Sequence, residues 1–287
     1  MKNFKILFFP LILLGILIYS CDKVEPPYLK PGSVDTSEIK SGDTVKNVLL
    51  EDYTGHGCVN CPSAAHTAHY LQDSIYHQRL IIIAVHAGYF ASTQFFGDLF
   101  SYDFNTPAGT AWDNYYQIST TYGNPNGLVD RVEYESKMVL GKDQWGSAIG
   151  EQTLADFQAK ITIENNYNTG SNTLNSNIVT EFQENLTGSY SILACIVQDH
   201  FESPQKDEDV DGGTDSTYIH NNVMRGSMNG DWGENLTSDP AEGSSYEKSY
   251  SINFHDDWKP EDCRVVAFVF NEETKAVIQV DEEWVKK

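Results

Sequence analysis

The chain has 287 residues, and its 19 Lys and Arg against 41 Asp and Glu give a formal net charge of -22. Nucleic acid is excluded as a partner on this ground, because phosphate binding needs clustered basic side chains. Hydrophobic residues make up 40% of the chain and aromatic residues 12%, which is enough to build packed cores, and the length suits two domains.

Residues 1–20 have the pattern of a secretion signal peptide. Lys2 and Lys5 precede an apolar run that is short for a membrane-spanning helix. The run ends in Leu-Ile-Tyr-Ser-Cys at 17–21, which resembles a bacterial lipobox, and this resemblance implies that Cys21 is lipidated and attaches the mature protein to a membrane. The alternatives are an ordinary signal peptide with a spare Cys21 and an uncleaved anchor.

Residues 21–45 are predicted to form the lipidated tether. Pro26, Pro27 and Pro31 lie there among charged and hydroxyl residues, without a periodic apolar pattern. Such a segment holds the first folded domain clear of the bilayer.

Residues 46–160 show the pattern of an α/β domain. The apolar run 48–53 has the length of a strand buried on both faces, a helix-like run covers 63–76, and a second strand-like run covers 79–86. This order predicts a β–α–β unit with parallel strands. Further helices are predicted from Pro107 onward and over 145–160.

Cys58 and Cys61 lie where the first predicted strand gives way to a helix. Free N–H groups and the helix dipole at such a helix start stabilise a thiolate, and the spacing lets the second sulfur resolve a mixed disulfide. A redox pair in which Cys58 attacks and Cys61 resolves is one interpretation, and a fixed structural disulfide is the second. A protonated His56 would lower the pKa of Cys58, whereas a simple loop histidine would not.

Zinc is a third interpretation of the same cysteines. Cys58 and Cys61 are followed closely by His66 and His69, so four potential zinc ligands occur together. The distance in sequence between the two pairs is much shorter than in zinc fingers, and an oxidising compartment disfavours free thiolates.

The order of elements is similar to that of the thioredoxin-like fold: strand, CxxC at a helix start, helix, strand, helical insert, then X-Pro before a strand. In that family the X-Pro bond is cis and faces the dithiol. The resemblance therefore implies that the Asn124–Pro125 bond is cis and that Pro125 shapes the substrate-binding edge. Asn-Pro-Asn-Gly is also a strong turn signal by itself.

Four motifs together resemble the outer membrane protein 28-related family of Gram-negative lipoproteins. They are the lipobox, Thr-Gly-x-x-Cys-x-x-Cys-Pro at 54–62, Gly-x-Pro-x-Gly-x-x-Asp-Arg at 123–131 and His-Asn-x-Val-x-Arg at 220–225. The resemblance implies a lipid-anchored location at the outer membrane, on its periplasmic face or at the cell surface, without implying a settled activity.

Residues 161–287 consist of short alternating runs separated by clusters of Asn, Gly and Ser, which is typical of an antiparallel sandwich. The predicted fold is thus an α/β thioredoxin-like domain over 46–160 followed by an all-β immunoglobulin-like sandwich. Cys195 and Cys263 both lie within strand-like runs, so they form either a disulfide with each other or two buried thiols.

An acidic run in the second half has the Asp-x-Asp-x-Asp-Gly start of a calcium loop. Asp207, Asp209, Asp211 and Asp215 are its candidate ligands, because alternate carboxylates can converge on one cation. Tyr218 stands where an EF-hand supplies its bidentate Glu, so a solvated acidic loop is the other interpretation. No other cofactor is expected.

Two functions from different classes fit these patterns. The first is thiol–disulfide exchange on exported proteins by Cys58 and Cys61. The second is a non-enzymatic binding or adhesion lipoprotein, in which the sandwich contacts a surface ligand and the CxxC is a structural disulfide.

Overall fold

One eight-stranded sheet runs through both halves of the described chain. The computed structural model describes residues 45–286; the predicted signal peptide, Cys21 and all but the last residue of the tether lie outside the described residues. The fold is mixed α/β, with mostly sheet and few helices, which confirms the predicted class at this level. Within 45–286, none of the helices has the length and apolar character needed to span a membrane.

The first half of the described chain contains a β–α–β unit followed by an antiparallel strand. Strands β1 and β2 pair in parallel, and β3 pairs antiparallel with β1. Every residue of β1 and β2 is buried, which explains their continuous apolar runs. The elements are β1 Val48–Thr54, α1 Cys61–Tyr70, β2 Leu80–His86, α2 Pro107–Tyr116, β3 Asn126–Val129 and α3 Lys142–Gln152.

Helix ends follow local sequence signals in most places. Thr106 caps α2, since its hydroxyl oxygen accepts a hydrogen bond from the Gly109 N–H at 3.0 Å. Helix α1 continues into a π-helical turn over Leu71–Tyr76. The prediction of a helix over 145–160 was too long: α3 ends at Gln152, and Leu154, which fits the helical spacing, is 75% exposed and adds little buried surface.

The second half supplies the remaining strands. They are β4 Ala159–Asn168, β5 Thr173–Phe182, β6 Ser189–Gln198, β7 Phe201–Glu202, β8 Gln205–Lys206, β9 Thr214–Asp215, β10 Ile219–His220, β11 Val223–Ser227, β12 Glu234–Ser238, β13 Ser245–Asn253, β14 Cys263–Asn271 and β15 Val277–Trp284.

Strand β11 joins the two halves into one sheet of order β15-β14-β6-β11-β2-β1-β3, with β12 also paired to β6. It pairs in parallel with β2 and antiparallel with β6. The hydrogen-bonded sheet therefore continues across residue 160, where the sequence places a domain boundary.

Three apolar cores lie on the faces of this sheet. The three-stranded sheet β13-β5-β4 packs face to face on β6 and β14 and encloses the first core. The opposite face of β6 and β14 shares a second core with β1, β2 and α2. The third core lies between β1, β2 and the helices α1 and α3.

The Asp-Arg end of the 123–131 motif is buried inside this framework. Arg131 donates from Nε and Nη2 to the two carboxylate oxygens of Glu51, at 2.8 and 2.7 Å, and both side chains are fully buried. The guanidinium also lies 4.8 Å from the Trp112 ring centroid and 5.0 Å from that of Phe268. Arg131, which lies two residues after the end of β3, thus contacts residues of β1, α2 and β14.

The predicted disulfide between Cys195 and Cys263 is wrong, and both residues are buried free thiols. They lie on neighbouring strands, but Cys263 is opposite Gln198 and Cys195 is opposite Val266. An offset of three positions separates them by roughly 10 Å, beyond the reach of a disulfide. Their side chains also point to opposite faces of the sheet, into different cores, and burial raises the pKa of each thiol to about 12.

Candidate functional site

Cys58 and Cys61 form a disulfide at the start of α1, directly beyond the carboxyl end of β1. Cys61 is the first residue of the helix, and Pro62 follows in its first turn, where a missing N–H costs no hydrogen bond. Each cysteine is only 2% exposed. The dithiol that the sequence indicates is therefore present as a closed and covered disulfide.

The two glycines of the segment before Cys58 allow residues 89–104, here called the aromatic insert, to pack directly on it. A Cβ atom on Gly55 would lie 2.4 Å from the carbonyl carbon of Phe90, and one on Gly57 would lie 2.3 Å from the Phe96 ring. The Gly57 N–H donates to the Phe90 carbonyl oxygen at 2.9 Å. The insert thus closes one side of the disulfide loop.

Residues 205–208, here called the strap, close another side from the second half of the chain. The Gln205 side-chain amide donates to the carbonyl oxygens of Cys58 at 2.9 Å and of Gly55 at 3.3 Å. The Lys206 N–H donates to the His56 carbonyl oxygen at 2.7 Å. The Glu208 N–H donates to the Val59 carbonyl oxygen at 3.2 Å. Four hydrogen bonds therefore hold the strap on the 55–59 segment.

The Asn124–Pro125 peptide bond is cis. The Asn124 side-chain amide donates to the carbonyl oxygens of Thr54 at 3.0 Å and of Ala87 at 3.3 Å. These hydrogen bonds hold the turn that contains Pro125 against the carboxyl ends of β1 and β2. The disulfide segment begins at this end of β1.

A small polar cavity of about 30 Å³ lies beside Cys61. Asp52, His86 and His220 line it, and all three are buried. Asp52 Oδ1 and both ring nitrogens of His86 have no hydrogen-bond partner among the described residues. A cavity of this size has room for about one water molecule.

Burial sets the protonation states around this cavity. It raises the pKa of the Asp52 carboxyl to about 7. It lowers the pKa of His86 well below the ordinary value and that of His220 to about 4. At neutral pH both histidines are therefore neutral, whereas Asp52 is partly protonated.

His56 does not supply the positive charge that would activate Cys58. Burial lowers the pKa of His56, and its Nε2–H donates to the Ser92 carbonyl oxygen at 3.1 Å. The ring packs among the aromatic insert, with centroid distances of 5.3 Å to Phe100 and 5.9 Å to Phe104.

The predicted calcium site is not formed. In the part of the chain that the structure describes, no group of three or more His, Cys, Asp or Glu side chains is placed to hold a metal ion. The candidate ligands Asp207 and Asp215 instead accept hydrogen bonds from backbone N–H groups two residues onward, Asp209 at 3.0 Å and Thr217 at 2.9 Å. The acidic run, with Asp211 at its exposed tip, is a hairpin loop between β8 and β9. For the same reason, Cys58, Cys61, His66 and His69 are not placed to hold a zinc ion in the described part of the chain.

A second candidate region, a groove of about 660 Å³, lies at the other end of α1. Arg264 is 2% exposed there and donates to Glu282 at 2.7 Å and to Asp199 at 2.8 Å. Arg264 also donates to Asn222, whose amide donates to His69 Nε2 at 2.9 Å. The groove therefore has a fixed polar wall, and Trp284 at its rim is 40% exposed.

The sequence analysis missed this groove, because its lining comes from distant segments of both halves. One signal existed: the 220–225 motif contributes His220 to the cavity, Asn222 to the groove and Arg225 to an ion pair with Asp257 at 2.5 Å. His69 and Asn221 line both the cavity and the groove, so the two spaces are neighbours.

Among solved structures, HBP35 of Porphyromonas gingivalis is similar with a TM-score of 0.64 at 18% identity, covering 86% of this chain and 77% of that chain. At this identity the likeness shows a shared fold alone. A domain of the outer membrane lipoprotein Omp28 from Porphyromonas gingivalis has a TM-score of 0.29 at 18% identity, covering 44% of this chain and 85% of that one, which is too low to carry an argument. No curated protein matches.

Residues 110–287 match the family described as Outer membrane protein Omp28. This match covers more than half of the 287 residues and includes the groove wall, the strap and the cis-proline turn. The chain therefore belongs to the Omp28 family of outer membrane proteins.

Proposed function

We propose that this protein is a lipid-anchored envelope protein that acts by binding, and that its Cys58–Cys61 disulfide is structural. The observation that carries the proposal is the 2% exposure of both cysteines. Thiol–disulfide exchange needs a thiolate to reach a disulfide sulfur. The strap and the aromatic insert both cover the disulfide and block the approach of such a thiolate.

The fold on which the disulfide sits is, in this proposal, a thioredoxin-like unit joined to an immunoglobulin-like sandwich. The parallel β1–β2 pair, the antiparallel β3 and the cis Asn124–Pro125 bond support the first unit. The packing of β13-β5-β4 on β6 and β14 supports the second.

Lipidation of Cys21 would attach the protein to the membrane through the segment that precedes β1. Val45 lies beside the amino end of β1, where the Gln279 amide donates to its carbonyl oxygen at 3.1 Å. The disulfide lies beyond the other end of this seven-residue strand. Cys21→Ala should abolish lipid labelling, and persistent labelling would refute the anchor.

The groove beside Arg264 is the proposed binding region. Its size and its position between two packed halves are typical of ligand sites. Asp199 and Glu282 more than balance the charge of Arg264, and the exposed Asp73 adds a further negative charge. A ligand group that is positively charged is therefore favoured, with Trp284 as an aromatic contact.

Insulin reduction by the full mature chain tests the structural role of the disulfide. We expect no turnover by the wild type above that of a Cys58→Ser variant, because neither sulfur is accessible. Turnover that depends on Cys58 would refute the proposal.

Thiol–disulfide exchange on exported proteins is the second candidate function. One observation favours it: Asp52, with a pKa of about 7, lines the same cavity as Cys61. A buried carboxyl with such a pKa could exchange a proton with the Cys61 thiol near neutral pH. This function would require the strap to leave the disulfide first.

A further inference from the structure

We infer that the strap and the Cys58–Cys61 disulfide are coupled: the docked strap keeps the disulfide closed, and reduction of the disulfide releases the strap. The inference rests on the proposed function, since it states what holds the structural disulfide shut. It makes the β8–β9 hairpin, which carries the strap, an element whose docking depends on the redox state of the two cysteines.

Gln205 is the main contact of the strap. It is 2% exposed, and its amide reaches two carbonyl oxygens of the disulfide segment, those of Gly55 and Cys58, while also bonding the Lys206 carbonyl oxygen at 2.9 Å. Without this amide, the carbonyl oxygens of Gly55 and Cys58 would keep only their backbone hydrogen bonds within the turn, and the side-chain link between the strap and the segment would be lost. The docked strap therefore stabilises the segment in its observed shape.

The disulfide stabilises that same shape from the other side. It ties Cys58 to Cys61 with a Cα–Cα distance of 5.4 Å. Two short backbone bonds, from Cys58 N–H to the Gly55 oxygen at 3.0 Å and from Cys61 N–H to the Cys58 oxygen at 3.3 Å, complete a tight turn. The carbonyl oxygens of Cys58 and Val59 lie inside this closed unit, so they are held in place for the strap.

Two events that favour one conformation must favour each other by the same factor. If the closed disulfide improves strap docking, then the docked strap disfavours reduction of the disulfide equally. Coupling factors of this kind are typically about 5- to 150-fold.

The hairpin that carries the strap can move without disturbing the three cores. Strands β8 and β9 have two residues each, and the loop between them contains Gly212 and Gly213 with positive φ of 84° and 68°. The bond from Lys206 Nζ to the Thr214 hydroxyl at 2.9 Å lies within the hairpin and would move with it. No residue of 205–215 belongs to any of the three cores, and units with few buried apolar contacts open at low free-energy cost.

The redox step itself needs an external dithiol. Such a reductant supplies two electrons and two protons, the Cys58–Cys61 bond breaks to give two thiols, and the reductant becomes a disulfide. Release of the strap would then expose both the thiols and the carbonyl oxygens of the 55–59 segment.

The test compares the full mature wild type with Gln205→Ala and with Gln183→Ala as a matched control. Among residues 45–286, the hydrogen bonds of the Gln183 side chain go to Glu181 alone, two residues away. We expect dithiothreitol to reduce the Cys58–Cys61 disulfide about tenfold faster in Gln205→Ala, and the equilibrium to shift toward the dithiol by a similar factor. Gln183→Ala should behave like the wild type. Equal rates and equilibria in all three proteins would overturn the inference.

Hydrogen exchange on the wild type gives a second readout that needs no variant at position 205. Backbone amides of Lys206 and Glu208 should exchange faster after reduction, while those of β14 keep their protection. A Cys58→Ser/Cys61→Ser variant should reproduce the reduced pattern. Unchanged protection at Lys206 and Glu208 in both cases would contradict the coupling. Insulin turnover by the wild type would instead refute the proposed function, so the two failures are distinguishable.

Discussion

Helix α1 connects two regions with opposite properties. At its first residue, Cys61, the disulfide is covered by the strap and the aromatic insert and is 2% exposed. Near its last turn, His69 borders an open polar groove of about 660 Å³. The CxxC motif is covered, whereas the open groove is lined by separate segments, of which only Asn221 and Asn222 belong to a motif. A sequence motif can thus identify the geometry of a site without showing whether anything can reach it.

The buried ion pair beneath the closed end gives the largest expected effect. Glu51→Gln removes one partner of Arg131 and leaves a fully buried guanidinium without a carboxylate. We expect a loss of about 3–5 kcal/mol in the free energy of unfolding, measured by urea denaturation. Lys248→Gln, which breaks a partly exposed pair with Glu234, should cost at most about 1 kcal/mol. Similar losses in both variants would contradict the account.

The raised pKa of Asp52 predicts how the free energy of unfolding depends on pH. Its pKa is about 7 in the folded protein against an ordinary value of 3.8, so the folded state keeps a proton that the unfolded chain releases. The contribution of Asp52 to the stability of the wild type should therefore fall as pH rises from about 4 to about 7, and then stay constant. Asp52→Asn removes this dependence, and its advantage over the wild type should grow to the order of 3 kcal/mol at pH 7.

Asp281 also has a pKa raised to about 7 by burial. The difference between the wild type and Asp52→Asn cancels its contribution, because both proteins contain it. An advantage of Asp52→Asn that does not change with pH would refute a raised pKa at Asp52.

Alanine substitutions at two glycines compare the tight packing beside the disulfide with an open position elsewhere. Gly55→Ala places a Cβ 2.4 Å from the backbone of Phe90, which cannot move like a flexible side chain. A loss of about 1–3 kcal/mol is expected. Gly141→Ala meets nothing within 4 Å and has a φ of -69°, but Gly141 is the N-cap residue of α3, where glycine is preferred to alanine, so a loss below about 1 kcal/mol is expected. Thermal unfolding of both variants tests the contrast, and a neutral Gly55→Ala would contradict the tight cover.

The groove gives the smallest expected effect on stability. Asp73→Asn changes an exposed side chain and should alter the free energy of unfolding by less than about 0.5 kcal/mol. It should nevertheless weaken binding of a tetra-arginine peptide, measured by calorimetry, several-fold more than Glu242→Gln, an exposed change of equal charge far along the sequence. A citrulline version of the peptide should not bind. If both variants weakened peptide binding equally, the net charge of the protein would explain the binding, and the groove would be refuted as the binding region.

The sequence predicted the buried strands, because their apolar pattern depends on local burial. The runs 48–53 and 79–86 became β1 and β2 because strands buried on both faces need continuous apolar residues. The alternation around Cys195 and Cys263 indicated strands but not their register, and the register is what separates the two thiols.

Contacts between distant segments were beyond the same reasoning. Gln205 meets Cys58 across 147 positions of sequence, and nothing in the composition of 205–208 distinguishes it from an ordinary turn. The groove needs side chains from α1, the segment directly after β6, β14 and β15 together. Periodicity shows which residues are buried, but it does not show which buried segments meet.

The reduction potential of the Cys58–Cys61 pair, measured in the full mature chain against a dithiol buffer, tests the central claim most directly. A structural disulfide held under the strap should have a potential below about -300 mV. A potential above about -230 mV, in the range of disulfide-exchanging proteins, would contradict it.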